Sequence, residues 1–114
     1  MHELSLAAEI VRLVQDAAVR EGFLEVAVLR LEAGALSGVE VDALRFALEA
    51  IAPGSCLAGA RIEIDKPPGR AWCTSCENEV EIMSRVDPCP HCGAVPLRLS
   101  SQTLRIVDLL VRDD

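Results

Sequence analysis

Two cysteine pairs, Cys73-x-x-Cys76 and Cys89-x-x-Cys92, constrain the fold of this chain more than any other feature. Twelve residues separate them, and thiolates three positions apart on a tight turn can hold one ion at Zn–S distances of about 2.3 Å, with the second pair completing a tetrahedron. Pro88 and Pro90 frame the second turn, and Gly93 follows it where a positive φ relaxes the backbone. Four thiolates leave no position for water, so the spacing predicts a structural zinc site at Cys73, Cys76, Cys89 and Cys92. A redox dithiol is the competing reading, but it requires only one pair.

The rest of the cysteine usage agrees. Of five cysteines, four sit in the paired turns, which suits metal-bound thiolates in a reducing compartment better than a disulfide scaffold. The fifth, Cys56, follows a helix with no partner nearby and reads as a small buried filler. A net charge of −7, with acidic residues spread along 114 positions, argues against nucleic-acid binding, which needs a basic surface. No run of 18 apolar residues and no signal-peptide pattern is present, so the expected location is the cytoplasm with no membrane partner.

Around the cysteines the periodicity alternates between helix and strand. From Leu4 to about Glu21 there is no Gly or Pro; Glu9, Arg12, Asp16 and Arg20 form a solvent stripe with Arg12–Asp16 and Asp16–Arg20 pairs, and Leu6, Ile10, Leu13, Val14 and Ala17 form the apolar face. Val26 to Glu32 reads as a strand, with Ala27, Leu29 and Leu31 on one face and Val26, Val28 and Arg30 on the other. Ser37-Gly38-Val39-Glu40 fits a capping box, Ser37 at N-cap and Glu40 at N3, ahead of a helix carrying Val41, Leu44, Leu48 and Ile51 and stopped by Pro53-Gly54. Arg61 to Asp65 alternates as a second strand, joined to the first through that helix by a right-handed parallel crossover. Thr103 to Val111 is a third, with its buried face undetermined because Leu109-Leu110-Val111 breaks the alternation.

The expected fold class is therefore α+β: a small mixed three-stranded sheet with two helices, built from residues 1–69 and 101–114. Residues 70–100 form an inserted metal module, in which Glu79 to Met83 alternates like a hairpin strand and which resembles a zinc ribbon.

The N-terminus offers a second metal site of different chemistry. His2 behind an unblocked Met1 can supply the terminal amine, its own backbone amide nitrogen and its imidazole in one plane, which suits square-planar Ni(II) or Cu(II) and not tetrahedral zinc. A histidine near a terminus is more often merely solvated, and the same bland reading applies to His91 inside the second cysteine turn. No Ser-His-acid arrangement and no G-x-x-x-x-G-K-[ST] phosphate loop appears, so an enzyme is not expected.

Met1-His2-Glu3-Leu4-Ser5-Leu6, Leu36-Ser37-Gly38-Val39, Ala58-Gly59-Ala60-Arg61-Ile62 and the two cysteine turns, taken in order, are similar to the HypA/HybF family of hydrogenase nickel-insertion proteins. The resemblance runs the length of the chain. It implies a nickel metallochaperone, with Ni(II) as cargo held by Met1 and His2, Glu3 as adjacent donor or orienting group, His91 as a further donor, and Zn(II) held by Cys73, Cys76, Cys89 and Cys92. By the same resemblance Glu40 and Asp42 lie toward the nickel end, although helix capping is their default role. The implied partners are a nickel-binding maturation GTPase and the precursor of a [NiFe]-hydrogenase large subunit, with a homodimer also open. An adaptor that docks through its ribbon and has an inert terminus is the alternative from another class.

Overall fold

The structure is a computed structural model and describes residues 3–95 and 97–112. Met1 and His2 lie outside the described residues. The elements follow in the order α1 (Glu3–Glu21), β1 (Val26–Ala33), α2 (Val41–Ile51), β2 (Arg61–Asp65), β3 (Gly69–Cys73), β4 (Asn78–Ile82), β5 (Arg98–Leu99) and β6 (Leu104–Val111). They make two three-stranded sheets, β2-β1-β6 and β4-β3-β5, in a molecule measuring 55 × 25 × 18 Å.

The first sheet is mixed, as the pattern predicts. β1 pairs parallel with β2, Leu29 opposite Ile62 and Leu31 opposite Ile64, because the intervening α2 must carry the chain back before β2 can start. β6 pairs antiparallel on the other side of β1. The two helices cover this sheet, and the core between the layers is almost wholly aliphatic: Ala7, Ile10 and Val14 from α1, Leu44 and Leu48 from α2, and Leu29, Leu31 and Ile62 from the strands. Leu29, Leu44 and Leu48 are fully enclosed, each stabilising the fold by about 1.5–3 kcal/mol. The undetermined face of β6 resolves with Leu104, Ile106 and Leu109 packed on this core.

Several sequence expectations change. Leu13 stays 43% exposed, and the buried stripe of α1 is Ala7, Ile10, Val14 and Ala18. Arg12 pairs with Asp16 at 3.1 Å and also with Glu9, but Arg20 turns to Glu21 instead of Asp16. Val26 does not share the outer face of β1; it is buried together with Leu29 and Leu31. The register slips between Val26 and Val28 opposite β6, and the extra residue of a bulge reverses the facing of everything before it.

The capping box is also replaced. α2 starts at Val41 with Glu40 as N-cap in an extended conformation and no capping side chain of its own. The Ser37 hydroxyl accepts the N–H of Val39 at 3.3 Å, closing a turn two residues ahead, because Gly38 at φ 81° directs the chain away from a helical continuation. The N–H of Glu40 goes to the carboxylate of Glu3, at 2.9 Å.

The second sheet has a small core of its own: Ala71, Val80, Ile82, Cys73 and Cys89. Leu36 belongs to that core as well, although it comes from the loop after β1. The loop is gripped on both sides of the residue. Gln102 Oε1 accepts the N–H of Leu36 at 2.7 Å, and Arg85 donates to its carbonyl at 3.2 Å. Gln102 also donates to the carbonyl of Pro68 at 3.0 Å, and Ala35 N–H to that of Pro67 at 2.9 Å. The junction between the two sheets is therefore built from polar contacts around one apolar plug.

Candidate metal centre

Both cysteine turns hang from the β3–β4–β5 sheet. Cys73 ends β3 and Cys76 lies in the turn to β4, while Cys89 and Cys92 occupy the loop between β4 and β5, closed by Gly93 N–H to the carbonyl of Cys89 at 2.8 Å. In each turn a backbone N–H donates to the first sulfur: Cys76 N–H to Cys73 Sγ and His91 N–H to Cys89 Sγ, both at 3.4 Å. Such bonds favour a thiolate over a thiol. The residue after the second cysteine of each turn takes a positive φ, Glu77 at 51° and Gly93 at 76°, so both knuckles leave through a left-handed residue.

The four sulfurs lie within 4.8 Å of one another. Cys73 Sγ is 3.6 Å from Cys92 Sγ, and Cys76 Sγ is 3.8 Å from Cys89 Sγ. A tetrahedron with metal–sulfur bonds of about 2.3 Å has edges of about 3.8 Å. The donor set is thus already near the size and chemistry of a Zn(II) site, and no fifth position is left for a substrate.

Proton affinities within the cluster diverge. Burial pushes the Cys89 thiol up, but N–H groups of Cys92 and His91 and the neighbouring thiols outweigh it and bring it down to about 6. Hydrogen bonds with Cys92 and Cys89 push Cys76 up to about 12. Without a cation Cys89 ionises while Cys76 keeps its proton, so the pair divides one charge between them. A divalent ion removes that conflict and displaces the remaining protons. Cys56 stands apart: it is 8% exposed, and burial raises its thiol above the ordinary range.

The remaining predicted site residues are distributed unevenly. Glu3 sits at the first turn of α1 with its carboxylate on the Glu40 amide, which brings the start of α1 against the start of α2. That contact, and the N-H of Glu3 itself, hold its carboxyl below the usual range. Glu40 and Asp42 are exposed there. His91 is exposed on the second knuckle. An apolar groove of about 670 Å³ opens beside Glu3, lined by Leu6, Ile10 and Leu13 of α1, Val39, and Leu104 and Ile106 of β6. The sequence placed Leu6, Ile10 and Leu13 on one apolar face of α1 but carries no signal that part of this face lines an open groove. Among the described residues no helix is long and apolar enough to cross a membrane.

Fold and site together define a small α+β protein carrying an inserted four-thiolate metal module. The family model described as "Hydrogenase/urease nickel incorporation, metallochaperone, hypA" matches residues 1–111. Proteins called hydrogenase maturation factor HypA are similar to the chain over nearly its whole length: that of Cupriavidus necator is 57% identical, covering 99% of this chain and 96% of its own, and that of Azotobacter vinelandii 46%, covering 97% and 99%. The solution structure of the Ni metallochaperone HypA from Helicobacter pylori superposes with a TM-score of 0.67 at 16% identity, covering 100% of both chains; this likeness supports the fold. The chain belongs to the HypA family of nickel metallochaperones for hydrogenase maturation.

Proposed function

We propose that this chain binds Ni(II) at its N-terminus and hands it to the precursor of a [NiFe]-hydrogenase large subunit, acting in the cytoplasm beside a nickel-binding GTPase and without catalysing a reaction of its own. What carries the reading is that the family match begins at residue 1 and so includes the His2 terminus together with the four-cysteine cluster. In this reading the amine of Met1 and the amide and imidazole nitrogens of His2 are the nickel donors. Amine and amide donors must lose protons to bind, so the affinity is pH-sensitive and the cargo is easily surrendered to a better donor set.

Glu3 then serves chiefly to orient the terminus, since its carboxylate is engaged by the Glu40 amide. Cys73, Cys76, Cys89 and Cys92 hold Zn(II), which supplies a cross-link between the two knuckles when bound and no reactive position. His91, exposed and one residue from Cys92, is the candidate for a further nickel donor. Residues 1–69 with 101–114, and 70–100, act as a nickel-binding unit and a zinc-binding unit.

Calorimetric titration of an untagged chain with Ni(II) tests this. His2→Ala, and separately a short extension ahead of Met1, should each abolish tight nickel binding while leaving one zinc per chain. Equal nickel affinity in all three would overturn the N-terminal site and favour an adaptor that docks through its ribbon.

A further inference from the structure

From the position of Leu36 we infer that it is a zinc-dependent latch: the zinc-loaded ribbon core grips Leu36 and thereby fixes the backbone amide of Glu40 against the Glu3 carboxylate at the start of α1.

Leu36 is only 1% exposed, and the buried cluster it belongs to is that of the ribbon, not the larger core. That cluster is small. Two of its six enclosed members, Cys73 and Cys89, are themselves thiols of the metal centre, and Cys76 packs at its edge. A core of this size does not hold together by apolar burial alone; its integrity rests on the bound ion, as in other small zinc modules. Removing the ion frees the second knuckle, and the seat of Leu36 opens with it. Arg85, whose guanidinium holds the Leu36 carbonyl, stands on the same loop between β4 and the knuckle and leaves with it.

Four residues further along the chain is Glu40. The stretch between is short and internally braced, with Ser37 N–H on the carbonyl of Gly34 at 2.9 Å and the Ser37 hydroxyl on the N–H of Val39. A displacement at Leu36 is therefore passed to Glu40 and not absorbed by slack. The amide of Glu40 is received by the side chain of Glu3, from an element 37 residues earlier. The ribbon core, the Leu36 loop, the N-cap of α2 and the first residue of α1 thus form one contiguous chain of contacts. Its importance for cargo rests on the reading of the terminus given above, but the latch itself does not.

Amide hydrogen exchange at Glu40, followed by NMR on the full-length zinc-loaded chain and on the same chain stripped by a chelator, tests it. Stripping should speed Glu40 exchange roughly tenfold or more while Leu44 and Leu48 in α2 stay protected. Leu36→Ala, checked for zinc content, should exchange at the stripped rate already when loaded, and Val80→Ala, a truncation elsewhere in the same core, should keep the response to zinc. If Leu36→Ala does not fold, Gln102→Ala removes the acceptor of the Leu36 amide from the surface and should give a smaller zinc response in the same direction. Glu40 exchange indifferent to zinc, or a full zinc response retained in the Leu36 or Gln102 variant, overturns the latch. Nickel titration of the zinc-loaded parent separates the two readings: no nickel binding there, with the exchange response to zinc intact, removes the cargo role and leaves the latch standing.

Discussion

The carboxylate of Glu3 accepts the backbone N–H of Glu40 at 2.9 Å, so the first described residue of α1 caps the helix that follows β1 and not its own. A helix start leaves N–H groups without intrahelical partners, and α2 has no local side chain to supply one. The cap crosses from one helix to the other and ties the start of α1 to the start of α2.

Because the Glu40 amide, followed by Glu3's own amide, holds the Glu3 carboxyl below its ordinary value of 4.5, the contact contributes stability only while Glu3 is ionised. That contribution is complete at pH values above the unfolded carboxyl pKa and is lost as pH falls through the lower folded value. Glu3→Gln should lower the melting temperature at neutral pH, and the gap from the parent should close as pH is taken well below 4.5; thermal melts across pH 3–7 check the convergence.

Gly69 is the tightest approach in the junction. A Cβ placed there would stand 2.3 Å from the Leu36 side chain. Gly69→Ala should destabilise the chain by about 1–3 kcal/mol through overpacking, and Leu36→Ala in the same background should recover part of the loss. A denaturant series on the two single variants and the double variant measures the coupling.

Glu77 takes a left-handed φ of 51° at the knuckle position where the other knuckle has Gly93. A side chain there costs about 1–2 kcal/mol, against roughly 0.5–1 kcal/mol of extra unfolded-state entropy for glycine. Glu77→Gly should raise stability modestly, by up to about 1 kcal/mol, and leave zinc content unchanged. Gly93→Glu should do the reverse, which denaturant midpoints and metal analysis can follow together.

Thiol reactivity should separate the cysteines into two groups. In the zinc-loaded chain the four sulfurs of the cluster are engaged by the ion, and Cys56 is buried with its thiol raised above the ordinary range. A thiol reagent should therefore react slowly with all five. A chelator should release four fast-reacting thiols along with one zinc, and the fifth should appear only on unfolding.

The resemblance to the nickel-insertion family was legible without coordinates, and so was the architecture around it. The two helices, the parallel β1–β2 crossover and the alternating strand after Cys76 follow from residue periods of 3.6 and 2 and from the helix stop at Pro53-Gly54. The convergence of Cys73, Cys76, Cys89 and Cys92 was legible because each knuckle is local and only one geometry lets four thiolates share an ion.

What the tertiary structure decided are the relations between segments far apart in the chain. The capping box at Ser37 is locally sound, yet Gly38 turns the backbone and Glu3, 37 residues away, takes the amide. The face of Val26 depends on a bulge that exists only once β6 has paired with β1. Leu36 looks like an ordinary loop leucine, and its place inside the ribbon core is set by Gly69, Arg85 and Gln102 closing around it. Sequence alone determined the local elements and the donor chemistry, because short-range sterics and ligand preference act within a few residues. Three-dimensional packing decided caps, faces and the junction, because a hydrogen bond or an apolar seat is available only after its distant partner has arrived.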